Sequence, residues 1–174
     1  MSRILVLGGA RSGKSAYAES ALSRTAAVRY VATGYPAGDD PDWASRVAQH
    51  RQRRPESWTT VETLDLADVL ADASTPILID CMSLWLTRTL DAFDAWNADT
   101  LPSGVTTAVD EVVWAWASSA ADVIAVSNET GLGVIPSTRA GAMFRDELGN
   151  LNRRLAAVSD EVWLLIAGLP QRLK

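Results

Sequence analysis

GGARSGKS, Gly8 to Ser15, directly follows the apolar run Ile4-Leu5-Val6-Leu7, and its reading decides the fold of the whole chain. The stretch fits G-x-x-x-x-G-K-[ST], with Gly8, Gly13, Lys14 and Ser15 at the four defining positions. A buried strand feeding such a turn and then a helix makes successive backbone N–H groups converge on a polyphosphate, helped by the positive end of the helix. The expected nucleotide-binding loop is therefore Gly8, Gly9, Ala10, Arg11, Ser12, Gly13, Lys14 and Ser15. Lys14 is expected to reach the terminal phosphates and Ser15 to ligate Mg²⁺. The plain alternative is an ordinary strand-to-helix loop in which the glycines serve only the turn.

Composition narrows the classes. A chain of 174 residues with 48% hydrophobic content suits one domain, 1–174, with a substantial core. A net charge of -5 argues against a nucleic-acid surface, which needs a basic stripe. One cysteine, Cys81, excludes an internal disulfide, and no apolar run approaches membrane-spanning length. With no signal peptide ahead of the first strand, a cytoplasmic location is expected. One histidine and one cysteine cannot build a His/Cys zinc site, so the expected metal is Mg²⁺ held by oxygen ligands and the phosphates of ATP or GTP. The seven tryptophans are read as core and interface packing.

Beyond the loop, the chain alternates helix and strand patterns. A helix is expected over Ser15 to Arg24, packing through Ala18, Ala21 and Leu22, and a short strand over Val28 to Thr33. Alternation of this kind implies parallel β-α-β units with right-handed crossovers, whose strand carboxyl ends carry the ligand. Thr33, Gly34 and Tyr35 lie at such an end, as a ligand contact or a mere turn. Pro76 to Asp80 is an apolar strand ending in an acid, the position where a P-loop protein needs a carboxylate near Ser15 and Mg²⁺. Asp80 can also cap the helix that Ser83 begins, but the need for that carboxylate favours the nucleotide role.

Further strands are expected over Trp58 to Glu62, Asp122 to Ser127 and Glu161 to Ala167. Helices are expected over Leu64 to Ala73, over the stripe Val105, Val109, Val112, Val113 and Trp116, and over Ser137 to Val158. Asp91 to Gly104 reads as a long surface loop, and Gly168 opens a short tail. Asn128 to Gly133 follows a strand, so it is either a tight turn or a neighbour of the phosphate loop.

Asp42 to Arg54 reads as a helix with Pro41 at its start and Pro55 beyond its end. Arg46, His50 and Arg53 or Arg54 share one face. A charge run is ordinarily a solvated helix side and a lone histidine ordinarily structural. If the helix folds over the P-loop, the arginines neutralise a nucleotide and the imidazole serves as base or nucleophile.

With these segments in place, the chain resembles the bifunctional adenosylcobinamide kinase / adenosylcobinamide-phosphate guanylyltransferase family. The marks are GGARSGKS, YVATG from Tyr30, RVAQHRQRRPESWTTVE from Arg46, LIDC ending at Cys81, SNETGLGVIP from Ser127, and FRDELGNLNRRLA followed by DEVWLLIAG. The resemblance covers nearly the whole length. It implies phosphorylation of adenosylcobinamide with ATP or GTP, then transfer of GMP from GTP through a histidine, which the motif places at His50. It further implies that Lys14 is catalytic, that Arg51, Gln52, Arg53 and Arg54 hold phosphates, and that Thr33, Gly34, Tyr35, Glu62 and Asp80 contact the nucleotide. Ser15 and Asp80 are the implied Mg²⁺ ligands. The implied fold is a P-loop NTPase α/β fold, RecA-like, with a mostly parallel sheet flanked by helices and an antiparallel strand late in the chain. The implied partners are a corrinoid substrate and nucleotides, and the implied assembly a homotrimer. Glu129 and Asp80 are candidates for the base of the kinase step.

Two other readings compete. A P-loop small-molecule kinase without the guanylyl step needs no histidine intermediate. A nucleotide switch typically carries [NT]-K-x-D for guanine, and that motif is absent.

Overall fold

A computed structural model describes residues 1–22, 25, 27–36, 38 and 40–174; residues 23, 24, 26, 37 and 39 and the side chain of residue 46 lie outside this description. The expected helix end at Arg24 and the Arg46 side chain therefore lie outside the described residues.

The opening apolar run forms strand β1 (Arg3–Gly8), and helix α1 (Lys14–Ala21) follows the glycine-rich turn. Then come β2 (Arg29–Ala32), α2 (Pro41–Gln52), β3 (Thr59–Glu62), α3 (Leu66–Ala71) and β4 (Ile77–Asp80). Next are α4 (Met82–Ala92), α5 (Ser103–Ser118), β5 (Val123–Asn128), α6 (Arg139–Val158), β6 (Glu161–Ile166) and β7 (Leu169–Arg172). All the strands join one seven-stranded sheet in the order β3-β2-β4-β5-β1-β6-β7. Every neighbouring pair is parallel except β6 with β7.

Burial explains why the strands read as unbroken apolar runs. Alternate residues of β1 serve opposite faces: Leu5 and Leu7 pack with α3 to α6, whereas Val6 packs with Ala18 and Leu22 around α1. Ile77 and Ile79 of β4 join the first cluster and Leu78 the second, so both faces are apolar, as expected of a covered parallel sheet. The long helices bury the larger cluster, with Trp85 and Trp116 fully enclosed at its centre. Their indole N–H groups donate to the Leu64 carbonyl and the Ser159 hydroxyl, which removes the cost of burying them unpaired.

Three details differ from the sequence reading. The packed face of α1 is Ala18, Glu19 and Leu22, while Ala21 is exposed, because the helix meets the sheet one residue round from the small-residue stripe. The tail after Gly168 is strand β7, which pairs with the otherwise open side of β6 through Trp163 to Ile166. The stretch 91–104 is shorter as a loop than expected. Helix α4 runs to Ala92, a 3₁₀ turn spans Ala95–Asn97, and Ala95 is fully buried.

Arg3 fastens the start of β1 to the turn between α6 and β6. Its Nε and Nη2 each lie 3.0 Å from the Asp160 carboxylate, whose Oδ2 also accepts from the Arg3 backbone N–H at 2.9 Å. These bonds hold the Asp160 carboxyl at about 2, below its ordinary 3.8. A carboxyl lowered on folding stabilises the native state above its unfolded value and loses that contribution as pH falls through the folded one. Asp160→Asn is therefore expected to lower the thermal midpoint at pH 6, and the gap from wild type should close between pH 4 and about pH 2. A gap unchanged across acid melting curves would remove the Arg3–Asp160 pair as its origin.

Candidate active site

Parallel register brings four strand ends to one edge of the sheet, with β1 and β5 running two residues beyond β2 and β4. Gly8 lies opposite Asn128, and Asp80 lies opposite both Val126 and Ala32. The P-loop leaves β1 here and enters α1 through Gly13, whose φ of +91° is open to glycine without strain. The turn joining β6 and β7 supports the loop, with the Gly168 N–H donating to the Ser12 carbonyl at 2.9 Å. Lys14 folds back over the loop and donates from Nζ to the Gly9 carbonyl at 3.0 Å. Burial pushes its ammonium below the ordinary lysine value, against the attraction of Asp80.

Asp80 is the centre of the site. Its Oδ1 lies 3.4 Å from the Ser15 hydroxyl, and its Oδ2 accepts from the Tyr30 hydroxyl at 2.9 Å and lies 3.5 Å from His50 Nδ1. Burial alone would raise this carboxyl, but His50, Tyr30 and Ser15 outweigh it and hold Asp80 below its ordinary value. The cap reading of Asp80 is not realised: the residue before α4 is Cys81, and no side chain among the described residues caps that helix. Burial and the neighbouring Asp80 push the Tyr30 phenol up, so it remains a donor.

Helix α2 carries the basic face to this centre. Asp40 caps its first turn by accepting from the N–H groups of Asp42 and Trp43, and Pro41 sits where no N–H is needed. The Trp43 indole donates to the Tyr35 carbonyl, and its ring lies so close that a β-carbon on Gly34 would come within 2.8 Å. At the other end stand His50 and, just past the helix, Arg53 and Arg54. Arg54 stacks its guanidinium 3.7 Å from the centroid of the Tyr30 ring and donates to the Thr60 hydroxyl at 3.0 Å. The structure thus brings together Lys14, Ser15, His50, Arg53, Arg54 and Asp80.

The other expected site residues lie around this centre. Arg51 and Gln52 are exposed. Glu62 is exposed at the end of the edge strand β3, separated from Asp80 by Ala32 of β2. The buried Thr33 hydroxyl exchanges hydrogen bonds with the backbone of Cys81, and the exposed Tyr35 donates its hydroxyl to Asp91. Asn128 to Gly133 is both things the sequence left open. The Glu129 N–H donates to the Gly8 carbonyl at 3.1 Å, while its carboxylate accepts from the Gly131 N–H at 2.6 Å.

Two residues escaped the sequence reading. Arg88 of α4 reaches back to the carbonyls of Thr33 and Gly34 at 3.3 and 2.9 Å and so holds that stretch. Glu19 of α1 places Oε2 3.3 Å from Arg53 Nε and Oε1 3.8 Å from His50 Nδ1. Burial pushes its carboxyl up, opposed by Arg53 and His50. The available signal was spacing: Glu19 is one helical turn beyond Ser15, on the face of α1 that turns toward Asp80.

As a possible metal position, the Ser15 hydroxyl and the adjoining Asp80 carboxylate are hard oxygen donors, the type Mg²⁺ prefers. Glu19, His50 and Asp80 also offer ligand atoms within 4.8 Å of one another. The Arg53 guanidinium already neutralises that acidic group.

A strand, glycine-rich loop and helix, with a strand-terminal acid facing the loop serine, define a P-loop nucleotide-binding α/β protein. Comparison with known proteins narrows the class. Residues 4–173 match the family described as cobinamide kinase / cobinamide phosphate guanyltransferase, and the chain belongs to it. It is 35% identical to the bifunctional adenosylcobalamin biosynthesis protein CobU of Escherichia coli, over 98% of this chain and 99% of the relative. It is 40% identical to the bifunctional adenosylcobalamin biosynthesis protein CobP of Pseudomonas aeruginosa, over 99% and 97%. Among solved structures, the ATPase EscN of the enteropathogenic E. coli type III secretion system aligns with a TM-score of 0.59 at 13% identity, over 95% of this chain and 43% of that one. A prototypical type III secretion ATPase aligns at 0.61 and 13%, over 94% and 52%. These likenesses show the P-loop fold alone.

The Tyr30 hydroxyl is a neutral donor to a buried anion, a bond that contributes about 1.5 kcal/mol or somewhat more. Tyr30→Phe is expected to lower unfolding stability by about that amount in urea titrations. Unchanged stability would show that the remaining donors hold Asp80 without it.

Proposed function

We propose that this protein is a bifunctional enzyme of cobalamin biosynthesis that uses one domain and one P-loop for two reactions. It phosphorylates adenosylcobinamide with ATP or GTP, then transfers GMP from GTP to the resulting phosphate through a guanylyl-histidine at His50. The observation that supports this reading is the His50 imidazole: its Nδ1 is 3.5 Å from the carboxylate that also faces Ser15, so the ring borders the phosphate loop rather than solvent alone.

The loop amides and Lys14 bind the polyphosphate, and Arg51, Gln52, Arg53 and Arg54 gather around its other oxygens. Gly34, Tyr35 and Glu62 contact the rest of the nucleotide, and the buried Thr33 holds that stretch from behind through the Cys81 backbone. Ser15 and Asp80, with the phosphates, would hold Mg²⁺, which would supply positive charge against the negative charge that develops on the leaving group. In the guanylyl half, a ring nitrogen of neutral His50 gives its electron pair to the α-phosphorus. The bond from that phosphorus to the bridging oxygen breaks, and pyrophosphate leaves with the pair, neutralised by Lys14 and the loop amides. A phosphate oxygen of the corrinoid then attacks the same phosphorus, the N–P bond breaks, and the imidazole regains its pair. The kinase half moves the γ-phosphoryl group in the same loop and makes no demand on His50. Trp114, 70% exposed on α5, and Val134, 95% exposed, supply apolar surface for the implied homotrimer. Nucleotide substrates suit a cytoplasmic enzyme, and among the described residues no helix is long and apolar enough to cross a membrane.

Incubation with Mg²⁺ and GTP labelled on the α-phosphate, without corrinoid, is expected to label the wild type. The label should be acid-labile and alkali-stable, as a phosphoramidate is. His50→Ala should remain unlabelled while still phosphorylating adenosylcobinamide. A wild type that binds GTP yet never acquires label would leave a kinase without the guanylyl step.

A further inference from the structure

Resting on the guanylyl-histidine reading, we infer that Glu19 is a positioning residue that selects which nitrogen of His50 can attack. Three groups, Arg53, Asp80 and Glu19, face Nδ1. Arg53 Nη2 lies 3.1 Å from it, and the same guanidinium places Nε 3.3 Å from Glu19 Oε2. Arginine has donors only, so a hydrogen bond from Arg53 makes Nδ1 the acceptor and puts the ring proton on Nε2. A ring in that state has no electron pair to offer on Nε2.

Glu19 provides the opposite arrangement. Its side chain is only 10% exposed, and Oε1 is buried without a hydrogen-bond partner among the described residues, 3.8 Å from Nδ1. A carboxylate accepts only, so closure of that gap by less than 1 Å fixes the proton on Nδ1 and leaves the Nε2 pair free. Asp80 Oδ2 is nearer, at 3.5 Å, but it already accepts from the Tyr30 hydroxyl and its other oxygen faces Ser15, whereas Glu19 Oε1 is the buried carboxylate oxygen without a donor among the described residues. Nucleotide phosphate supplies the trigger: it competes for Arg53, and a guanidinium drawn to phosphate releases Nδ1 to Glu19. When Nε2 then bonds to the α-phosphorus and pyrophosphate departs with its electron pair, the ring becomes a cation still carrying the Nδ1 proton. The Glu19 carboxylate balances that charge until the N–P pair returns to Nε2.

Glu19→Gln keeps the shape and replaces the carboxylate with an amide. Misplacing a ring proton or removing an orienting carboxylate slows comparable reactions by 10-fold or more. Labelling of His50 by α-labelled GTP is therefore expected to slow on the order of 100-fold in the variant. The rate of adenosylcobinamide phosphorylation should stay within about 2-fold, since it does not use the ring, and GTP should bind no more weakly, since loss of the Glu19 charge only frees Arg53 for phosphate. Equal labelling rates in wild type and variant would overturn the assignment, and so would parallel loss of labelling, nucleotide binding and kinase rate. A wild type that takes no label would instead sink the guanylyl-histidine reading itself.

A second measurement needs no variant. His50 is the single histidine of the chain, so ¹⁵N-histidine labelling gives one imidazole spectrum. On adding Mg²⁺ with the α,β-methylene analogue of GTP, the neutral ring is expected to move from the Nε2–H to the Nδ1–H tautomer. A ring that stays Nε2–H in that complex overturns the inference.

Discussion

The structure depends on one buried carboxylate. Asp80 ends β4 level with the end of β2 and two residues short of the ends of β1 and β5, and the oxygen that faces Ser15 and the oxygen that faces Tyr30 and His50 belong to the same rigid strand tip. A carboxylate that is 11% exposed is costly to bury as an anion unless donors surround it. The groups around it come from different elements: the Ser15 hydroxyl from α1, the Tyr30 hydroxyl from β2, and the His50 ring, 3.5 Å away, from α2. Satisfying Asp80 therefore assembles the site, and an enzyme that lost this charge would lose the common reference for all three.

The sheet gives the tip its rigidity unequally from its two sides. Helices α3 to α6 pack on one face and bury the larger cluster, while the face carrying α1 holds the smaller one. Strand β7 covers the side of β6, and the hairpin turn it forms with β6 supports the P-loop through Gly168. Helix α2 is different in kind, since none of its described residues is buried. It reaches the body through Trp43 at one end and the polar group of His50, Arg53 and Arg54 at the other. Phosphate-binding atoms thus sit on a densely packed frame, whereas the imidazole rides on an element whose position is set by a few polar contacts.

What the sequence made legible follows from this division. Apolar runs buried on both faces announce parallel strands, and the loop from Gly8 to Ser15 announces its own ligand, because those signals are local. Asp80 was legible for the same reason: an acid closing an apolar strand in a P-loop chain has few other roles. Glu19 was not, because its meaning arises from the rotation of α1 against the sheet, and a one-residue difference in the packed face exchanges Ala21 for a carboxylate. Arg88 was hidden likewise, since nothing in α4 itself says that its side chain crosses to the carbonyls of Thr33 and Gly34. The tail after Gly168 was misjudged because a four-residue strand with a proline carries almost no pattern, and only pairing with β6 makes it one.

Local charge, rather than the net balance, explains how an acidic chain can hold a polyphosphate. The protein carries a formal charge of -5, yet Arg51, Arg53 and Arg54 follow His50 within four residues, and Lys14 lies across the loop. Within a site partly closed to water, charges act over a few ångströms with little screening, whereas surface carboxylates farther than about 8–10 Å are largely masked by salt. Glu19 then has a second effect: without nucleotide it pairs with Arg53, so the cluster is not left as bare positive charge. Binding of phosphate must exchange those partners rather than simply add to them. On the proposed guanylyl-histidine reading, that exchange couples occupancy of the loop to the state of the imidazole, a physical means of arming the histidine only when a nucleotide is in place.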